Sequence, residues 1–195
     1  SDLENMLLPS GSDLGVFIGR FFDSLQDVAS NPDSISARTV SLEAGKALVS
    51  SFNHYDDQLK NFKSGSLRQF DNKIKEANLN INQLVEVNKL IARSGSKAAS
   101  NDVLDARDQL LKNLSQLFNF TVDYEITGEA NIRLGDSGSG INIVNRNKGA
   151  ILSVASDEKN ISLVVNNQGV KKTGIFSSGI LSGMSQFYNL VDTVN

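Results

Sequence analysis

LRQFDNKIKEANLNINQLVEVNKLIA, residues 67–92, decides the architecture. Within it Leu67, Phe70, Ile74, Ala77, Ile81, Leu84 and Ile91 recur at alternating steps of three and four, with Asn88 at one interior position of the same row. A row sustained over more than three heptads is the seam of a helix made to lie along a partner. The spacing continues upstream through Ile35, Leu42, Leu48, Phe52, Tyr55, Leu59 and Phe62, and no proline follows Pro32 anywhere in the chain. Read as one helix, residues 33–93 run roughly 90 Å at 1.5 Å per residue. Gly45 and Gly65 are the soft points, and a break near Lys63-Ser64-Gly65-Ser66 would give two ordinary helices instead. Both readings stand at this stage. Apolar stripes are usually core and most of these are expected to be, but a seam this long has more apolar edge than a small domain covers easily, so neighbouring molecules are the expected cover of the remainder.

On the N-terminal side, Leu14, Phe17, Ile18, Phe21, Leu25, Val28 and Ala29 mark a further amphipathic helix. Asn31-Pro32-Asp33 ends it, because the residue before proline is pushed out of helical conformation. The same triplet is expected to start the next helix, with Asn31 as cap and Pro32 as first helical residue. On the C-terminal side, Ser94-Gly95-Ser96-Lys97 reads as a polar loop, after which Asn101 or Asp102 caps a helix carrying Val103, Leu104, Leu110, Leu111, Leu114 and Leu117. An antiparallel return along the long helix is the simplest geometry.

The period then changes from helical to two. Phe118, Phe120, Val122, Tyr124 and Ile126 alternate with Asn119, Thr121, Asp123 and Glu125. Shorter runs follow at 130–134, 141–144, 150–155, 161–165 and 170–176, separated by turn-rich stretches at 135–140, 145–149 and 166–169. These predict one small antiparallel meander. Ser177-Ser178-Gly179 returns the chain to a helix striped by Leu181, Met184, Tyr188 and Val191. The expected fold is mainly α with a small inserted antiparallel β portion, in an elongated long-helix bundle. Its divisions are a helical rod domain at 1–118, the β portion at 119–176, and a helix at 177–195 returning to the helical domain.

At 195 residues the chain is long enough to bury roughly 70% of the surface its unfolded form exposes. A net charge of -3 leaves no excess of cations for counterion release, which argues against nucleic-acid partners. The chain has no Cys and no Trp, and its one His is His54. Disulfides, thiolate zinc sites and cysteine nucleophiles are thereby excluded, and the absence of Cys fits a chain exported unfolded. No apolar run approaches the roughly 20 residues of a membrane span, and no basic-then-apolar leader opens the chain. The stretch from Leu181 to Asn195 breaks off in mid-pattern without a cap, as expected of a fragment.

The most unusual segment is Asn101-Asp102-Val103-Leu104-Asp105-Ala106-Arg107-Asp108. Asp102, Asp105 and Asp108 fall three apart, while Arg107 has no acid at helical spacing. A calcium loop needs alternating oxygen ligands and a glycine turn, which this run lacks. Catalytic carboxylates need a cleft that a helix packed through Leu110, Leu111 and Leu114 does not advertise. The favoured reading is a structural salt-bridge network of Arg38, Asn101, Asp105, Arg107 and Asp108. In it Arg107 and Asp105 are tied to charged residues on the long helices, with Arg38 the candidate partner of Asp105. His54 reads as a surface residue, since no Gly-x-Ser-x-Gly elbow accompanies it. The glycines from Gly135 to Gly140 read as a hairpin turn, because no Lys-Ser or Lys-Thr pair follows to hold a phosphate. Lys171-Lys172 is too small a basic patch to imply a polyanion. No catalytic, cofactor or metal residues are assigned, and the chain is not expected to be an enzyme.

Pro32-Asp33-Ser34-Ile35-Ser36-Ala37-Arg38, the long helix, the Asn101 to Leu111 segment, Leu114-Ser115 and Gly179-Ile180-Leu181-Ser182-Gly183-Met184 together resemble the family of the first hook-associated protein of bacterial flagella. The resemblance covers roughly residues 12 to 195. It implies a structural axial protein at the junction of hook and filament, extracellular and exported without a cleaved signal peptide. The implied partners are the hook protein and the adjacent hook-associated protein, with self-association into a ring in the intact protein, and neither nucleic acid nor membrane. The terminal segments such proteins use to polymerise are absent from the pattern, which implies a central fragment, monomeric in isolation. Ile143-Val144-Asn145 stands where a Leu-Val pair followed closely by glycine is more usual, which leaves the strand register open there. Another flagellar axial protein, such as the third hook-associated protein or a flagellin, is the alternative within the class. An extracellular adhesin or binding module is the alternative outside it, poorly served by the sparse aromatics Tyr124 and Phe176.

Overall fold

A computed structural model of the chain describes residues 14–94, 99–156, 161–174 and 178–192. In order, it has α1 (Leu14–Ser30), α2 (Ile35–Arg93), α3 (Asn101–Leu117), seven strands, and α4 (Ile180–Asp192). The strands are β1 (Phe120–Tyr124), β2 (Ala130–Leu134), β3 (Asn142–Asn145), β4 (Lys148–Gly149), β5 (Ile151–Ser156), β6 (Ile161–Asn167) and β7 (Val170–Gly174). The fold is mainly α with a β portion inserted before the last helix. Phe176, Ser177 and the Ser94-Gly95-Ser96-Lys97 loop beyond Ser94 lie outside the described residues.

The long periodic segment is a single helix of 59 residues, and Lys63-Ser64-Gly65-Ser66 runs through it unbroken. One interior glycine costs about 1 kcal/mol against alanine, too little by itself to end so long a helix. The start differs from expectation. Asn31-Pro32-Asp33 forms a turn rather than a cap, with the Ser34 amide donating to the Asn31 carbonyl at 3.0 Å. The capping oxygen is Ser34 Oγ, which accepts from the Ala37 amide at 3.2 Å. Similarly, Ser100 holds the cap position of α3, making no side-chain cap bond, and Asn101 is already helical.

The chain packs as two compact units, one through Phe62 and the other from Lys63 onward. This boundary falls inside α2 and so differs from the divisions at 118 and 176 suggested by the change of period. In the first unit the Phe21 ring lies against Gly45, where an added Cβ would meet Phe21 Cε2 at 3.2 Å. Its buried described residues are small serines, Ser24, Ser41 and Ser51, whereas Phe22, Ile35, Val40, Leu42, Val49 and Phe52 are all at least half exposed.

The second unit holds the apolar core. Phe70, Ile74, Ala77, Ile81, Leu84, Asn88 and Ile91, the expected row, are each no more than 2% exposed. Their cover is intramolecular, as expected for most of the seam. The chain's own sheets, α3 and α4 supply it, through Ile132, Ile143, Leu152, Leu163, Leu114 and Leu181. Tyr188 of α4 is buried too, with the Lys63 ammonium 5.4 Å from its ring centre.

The expected single meander is two antiparallel sheets, β1-β2-β3-β4 and β5-β6-β7. The ladder is interrupted at buried Ala150, whose amide turns to the Ile143 carbonyl at 2.7 Å. The register left open at Ile143-Val144-Asn145 pairs Val144 with Gly149 and Asn145 with Lys148. A bulge between Ile132 and Arg133 offsets β2 from β3. The glycine-rich stretch is the β2–β3 hairpin, in which an added Cβ on Gly140 would lie 1.6 Å from the Leu134 carbonyl oxygen. The β6–β7 loop, Gln168-Gly169, has both residues at positive φ, the geometry that suits the twist of a two-residue hairpin.

Candidate functional site

The acidic-arginine segment of α3 reaches the turn between β1 and β2. Arg107 is the residue that does so: its Nη1 donates to the Gly128 carbonyl at 2.8 Å, and its guanidinium carbon lies 4.7 Å from the Tyr124 ring centre. Nε and Nη2 are taken up by the adjacent Asp108 Oδ1, both at 2.8 Å. A side chain only 13% exposed thus spends its fork on a backbone carbonyl and a ring face, the use for which a planar guanidinium is suited. Gly128 is at φ +98°, and an added Cβ there would touch Ile91 Cγ2 at 3.6 Å. The turn therefore lies close to α2 and α3 at once.

Two more anchors hold the same turn. Arg146 Nε and Nη2 donate to Glu125 Oε1 and Oε2 at 3.0 and 3.2 Å, a bidentate pair. Asn131 joins them, giving its amide N–H to Glu125 Oε1 at 2.9 Å and accepting the Arg146 backbone amide at 2.6 Å. The Arg146 guanidinium first, and the Asn131 amide second, hold the Glu125 carboxyl below its ordinary pKa, while Glu125 raises that of Arg146. The third anchor is Asn88 of α2. Its side chain accepts from the Ala130 amide at 2.9 Å and donates to the carbonyls of Ala130 at 2.8 Å and Arg146 at 2.7 Å. Inside the turn, Glu125 and Glu129 are joined through the backbone, and the Thr127 hydroxyl donates to the Glu129 carboxylate. At its tip Ile126 is fully exposed.

The expected network is thus partly replaced. Arg107 and Asp108 do pair, but Arg107 ties α3 to the β portion rather than to charged residues of the long helix. Arg38 turns its guanidinium to the Pro32 carbonyl at 2.9 Å through Nε, so its fork serves its own turn and not Asp105. Asp105 and Asn101 are exposed, and among the described residues Asp105 forms no ion pair. The reason is angular: positions two apart on a helix diverge by about 200°, so with Arg107 turned to Gly128, Asp105 points to the opposite side. His54 is exposed on α2, its ring nitrogen 2.8 Å from Gln58 Nε2. Among the described residues no three His, Asp or Glu side chains gather as a metal set, and no helix is long and apolar enough to cross a membrane.

Sequence reading missed Glu125, Asn131 and Arg146, since residues 21 apart in different turns share no periodic signal. Asn78 was missed as well. Its amide exchanges two bonds with the backbone of Leu152, at 2.8 and 2.9 Å. Asn88 did carry a signal, as the polar member of an apolar row. Gly149 and Gly179, where an added Cβ would lie 2.9 Å from Ile81 Cγ2 and 2.7 Å from the Leu117 carbonyl oxygen, could have been suspected only as glycines beside element boundaries.

These features define a class: a mainly helical domain whose inserted sheets are fastened to its longest helix by two asparagines and to the following helix by an arginine. The family is settled by comparison with known proteins. The chain belongs to the family described as the flagellar hook-associated protein FlgK helical domain, whose family model matches residues 1–195. It is 29% identical over 170 residues to flagellar hook-associated protein 1 of Bacillus subtilis (strain 168), covering 86% of this chain and 33% of that relative. It is 30% identical over 139 residues to the protein of the same description from Escherichia coli (strain K12), covering 70% of this chain and 25% of that one. The flagellar hook junction protein FlgK from Burkholderia pseudomallei shares the fold at a TM-score of 0.83 and 23% identity, over 95% of this chain and 35% of that chain. The chain therefore spans about a quarter to a third of the length of the relatives it matches.

Proposed function

We propose that this chain is the helical inner body of a structural axial protein of the bacterial flagellum, one that joins hook to filament. The carrying observation is α2, one helix of 59 residues onto which a β portion is fastened by Asn78 and Asn88, in a chain that belongs to this flagellar family. A continuous helix transmits load through its backbone hydrogen bonds, and the fastened sheets brace it laterally. In this reading the chain has no catalytic role, and the Asn101 to Asp108 segment serves packing through Arg107. The partners are the hook protein and the adjacent hook-associated protein, with self-association into a ring in the intact protein. The location is extracellular, reached by export without a cleaved signal peptide. The division into 1–118, 119–176 and 177–195 is kept as the order in which helical, β and returning helical segments serve that role. The exposed apolar residues of the first unit, Leu42, Val49 and Phe52 among them, are consistent with a surface that is covered in the assembled structure.

The test is electron microscopy of cells from which the gene has been deleted. Hooks without filaments, restored by the full-length gene, are expected. Normal filaments on the deleted strain refute the proposal.

A further inference from the structure

We propose that Asn78 and Asn88 set the register of α2 against the two sheets, a role the apolar seam does not fill. The seam is nearly self-similar. A slide by seven residues puts Ile81 where Ile74 was and Ile91 where Leu84 was, or, the other way, Leu67 where Ile74 was; the large change in volume along the row is at Ala77, whose place Phe70 or Leu84 would take. Apolar burial is non-directional, so it separates such alignments weakly.

The two asparagines are directional. Ala130 lies beyond the stretch in which β3 pairs with β2, and Leu152 lies on β5, which among the described residues pairs with β6 alone. Each residue therefore presents an N–H and a C=O without a strand to receive them. Asn88 takes both from Ala130 and also reaches the Arg146 carbonyl, and Asn78 takes both from Leu152. Between them Gly149 touches the helix so closely that an added Cβ would lie 2.9 Å from Ile81 Cγ2 and 3.1 Å from Val85 Cγ2. Residues 78, 81, 85 and 88 thus meet residues 152, 149 and 146 in sequence.

After a slide by seven one way, Asp71 and Ile81 occupy the two amide positions; after a slide by seven the other way, Val85 occupies the first. Neither offers Ala130 and Leu152 the paired donor and acceptor they need, and buried polar groups left unpaired are costly. One other pair of asparagines in α2, Asn72 and Asn82, has the same ten-residue spacing. Using it requires a shift of six residues, which rotates the apolar row by about 240° out of the core. One alignment alone satisfies seam and amides together, as a single polar residue fixes register in coiled coils. The inference does not depend on what the chain assembles into.

The experiment compares the 195-residue chain with Asn78→Leu, Asn88→Leu, the double variant, and Asn80→Leu as control. Asn80 is buried, at 9% exposure, as Asn88 is, but bonds to the Glu76 carbonyl of its own helix. The readout is the number of amide resonances for residues 130–152 and the hydrogen exchange of the Ala130 and Leu152 amides. In the double variant, multiple or broadened resonances are expected with helical content retained. In each single variant one set of resonances is expected, with exchange at the freed amide faster by about tenfold or more. Asn80→Leu is expected to match wild type. A single set of resonances with wild-type exchange in the double variant overturns the inference, and so does equal heterogeneity in Asn80→Leu. If the double variant does not melt cooperatively, the singles decide, and unchanged exchange at Ala130 and Leu152 overturns it.

Discussion

Arg107→Ala removes three contacts of unequal worth. The hydrogen bond to the Gly128 carbonyl, at 2.8 Å from a side chain 13% exposed, has a charged donor and is worth about 1.5–3 kcal/mol. The contact with the Tyr124 ring adds about 0.5–1 kcal/mol, the lower range, because the ring is 55% exposed. The pair with Asp108, 58% exposed, adds close to nothing beyond about 0.5 kcal/mol. Water can partly re-solvate the half-buried Gly128 carbonyl, so a net loss of about 2–3 kcal/mol is expected. For a unit of this size that lowers the melting midpoint by roughly 5–12 °C. Arg107→Lys keeps the charge but not the fork, and is expected to recover less than half of the loss. Thermal and urea unfolding measure both variants, and a cycle with Tyr124→Leu isolates the ring contact. Hydrogen exchange at Gly128, whose amide donates to the Glu125 carbonyl at 2.9 Å, should quicken in Arg107→Ala without matching changes in α4. A midpoint within 1 °C of wild type would refute the view that this arginine fastens the turn.

Three further outcomes follow from other contacts. Gly179→Ala is expected to cost more than about 2 kcal/mol in urea unfolding: the residue sits at φ +89°, and the new Cβ would lie 2.7 Å from the Leu117 carbonyl oxygen and 2.8 Å from Phe118 Cα, backbone that cannot yield. Glu125 has a folded pKa below its unfolded value, so its contribution is present above about pH 4.3 and lost as pH falls through the depressed folded value. Wild type and Glu125→Gln should accordingly differ in urea midpoint at pH 6 and converge as the pH is taken down towards 2; a gap independent of pH contradicts the pairing with Arg146. Ile81→Ala, at a site with no exposure, is expected to cost about 2–5 kcal/mol, whereas Val49→Ala, 60% exposed in the first unit, should change stability by under about 0.5 kcal/mol. Similar losses from the two would mean that Val49 is covered as fully as Ile81.

How much was legible depends on the range of the interaction. The row Phe70, Ile74, Ala77, Ile81, Leu84 and Ile91 and the alternation of Phe120, Val122 and Tyr124 are local patterns, set by the helical and strand repeats. They identified α2, α3, most strands and the returning helix with boundaries close to those observed. The Ser34 cap was missed because Asn31-Pro32 competes for the same end, and the chain resolved that competition with a turn. Of the candidate site, Arg107 was legible only as an arginine with no acid at helical spacing. Its true partner, the Gly128 carbonyl, was not, because every residue has a carbonyl and none announces itself.

By itself, then, the sequence determined which faces are apolar, where the period changes, and which chemistries lack their residues. Tertiary structure alone decided what covers those faces: the seam of α2 meets the chain's own sheets, and the expected meander divides at Ala150. It also chose Glu125 and Arg146 as partners across 21 residues. Periodicity records that a side chain must leave water, and burial is indifferent to what replaces the water. Only the directional contacts of Asn78, Asn88 and Arg107 say which surface it is, and those are fixed when distant parts of the backbone meet.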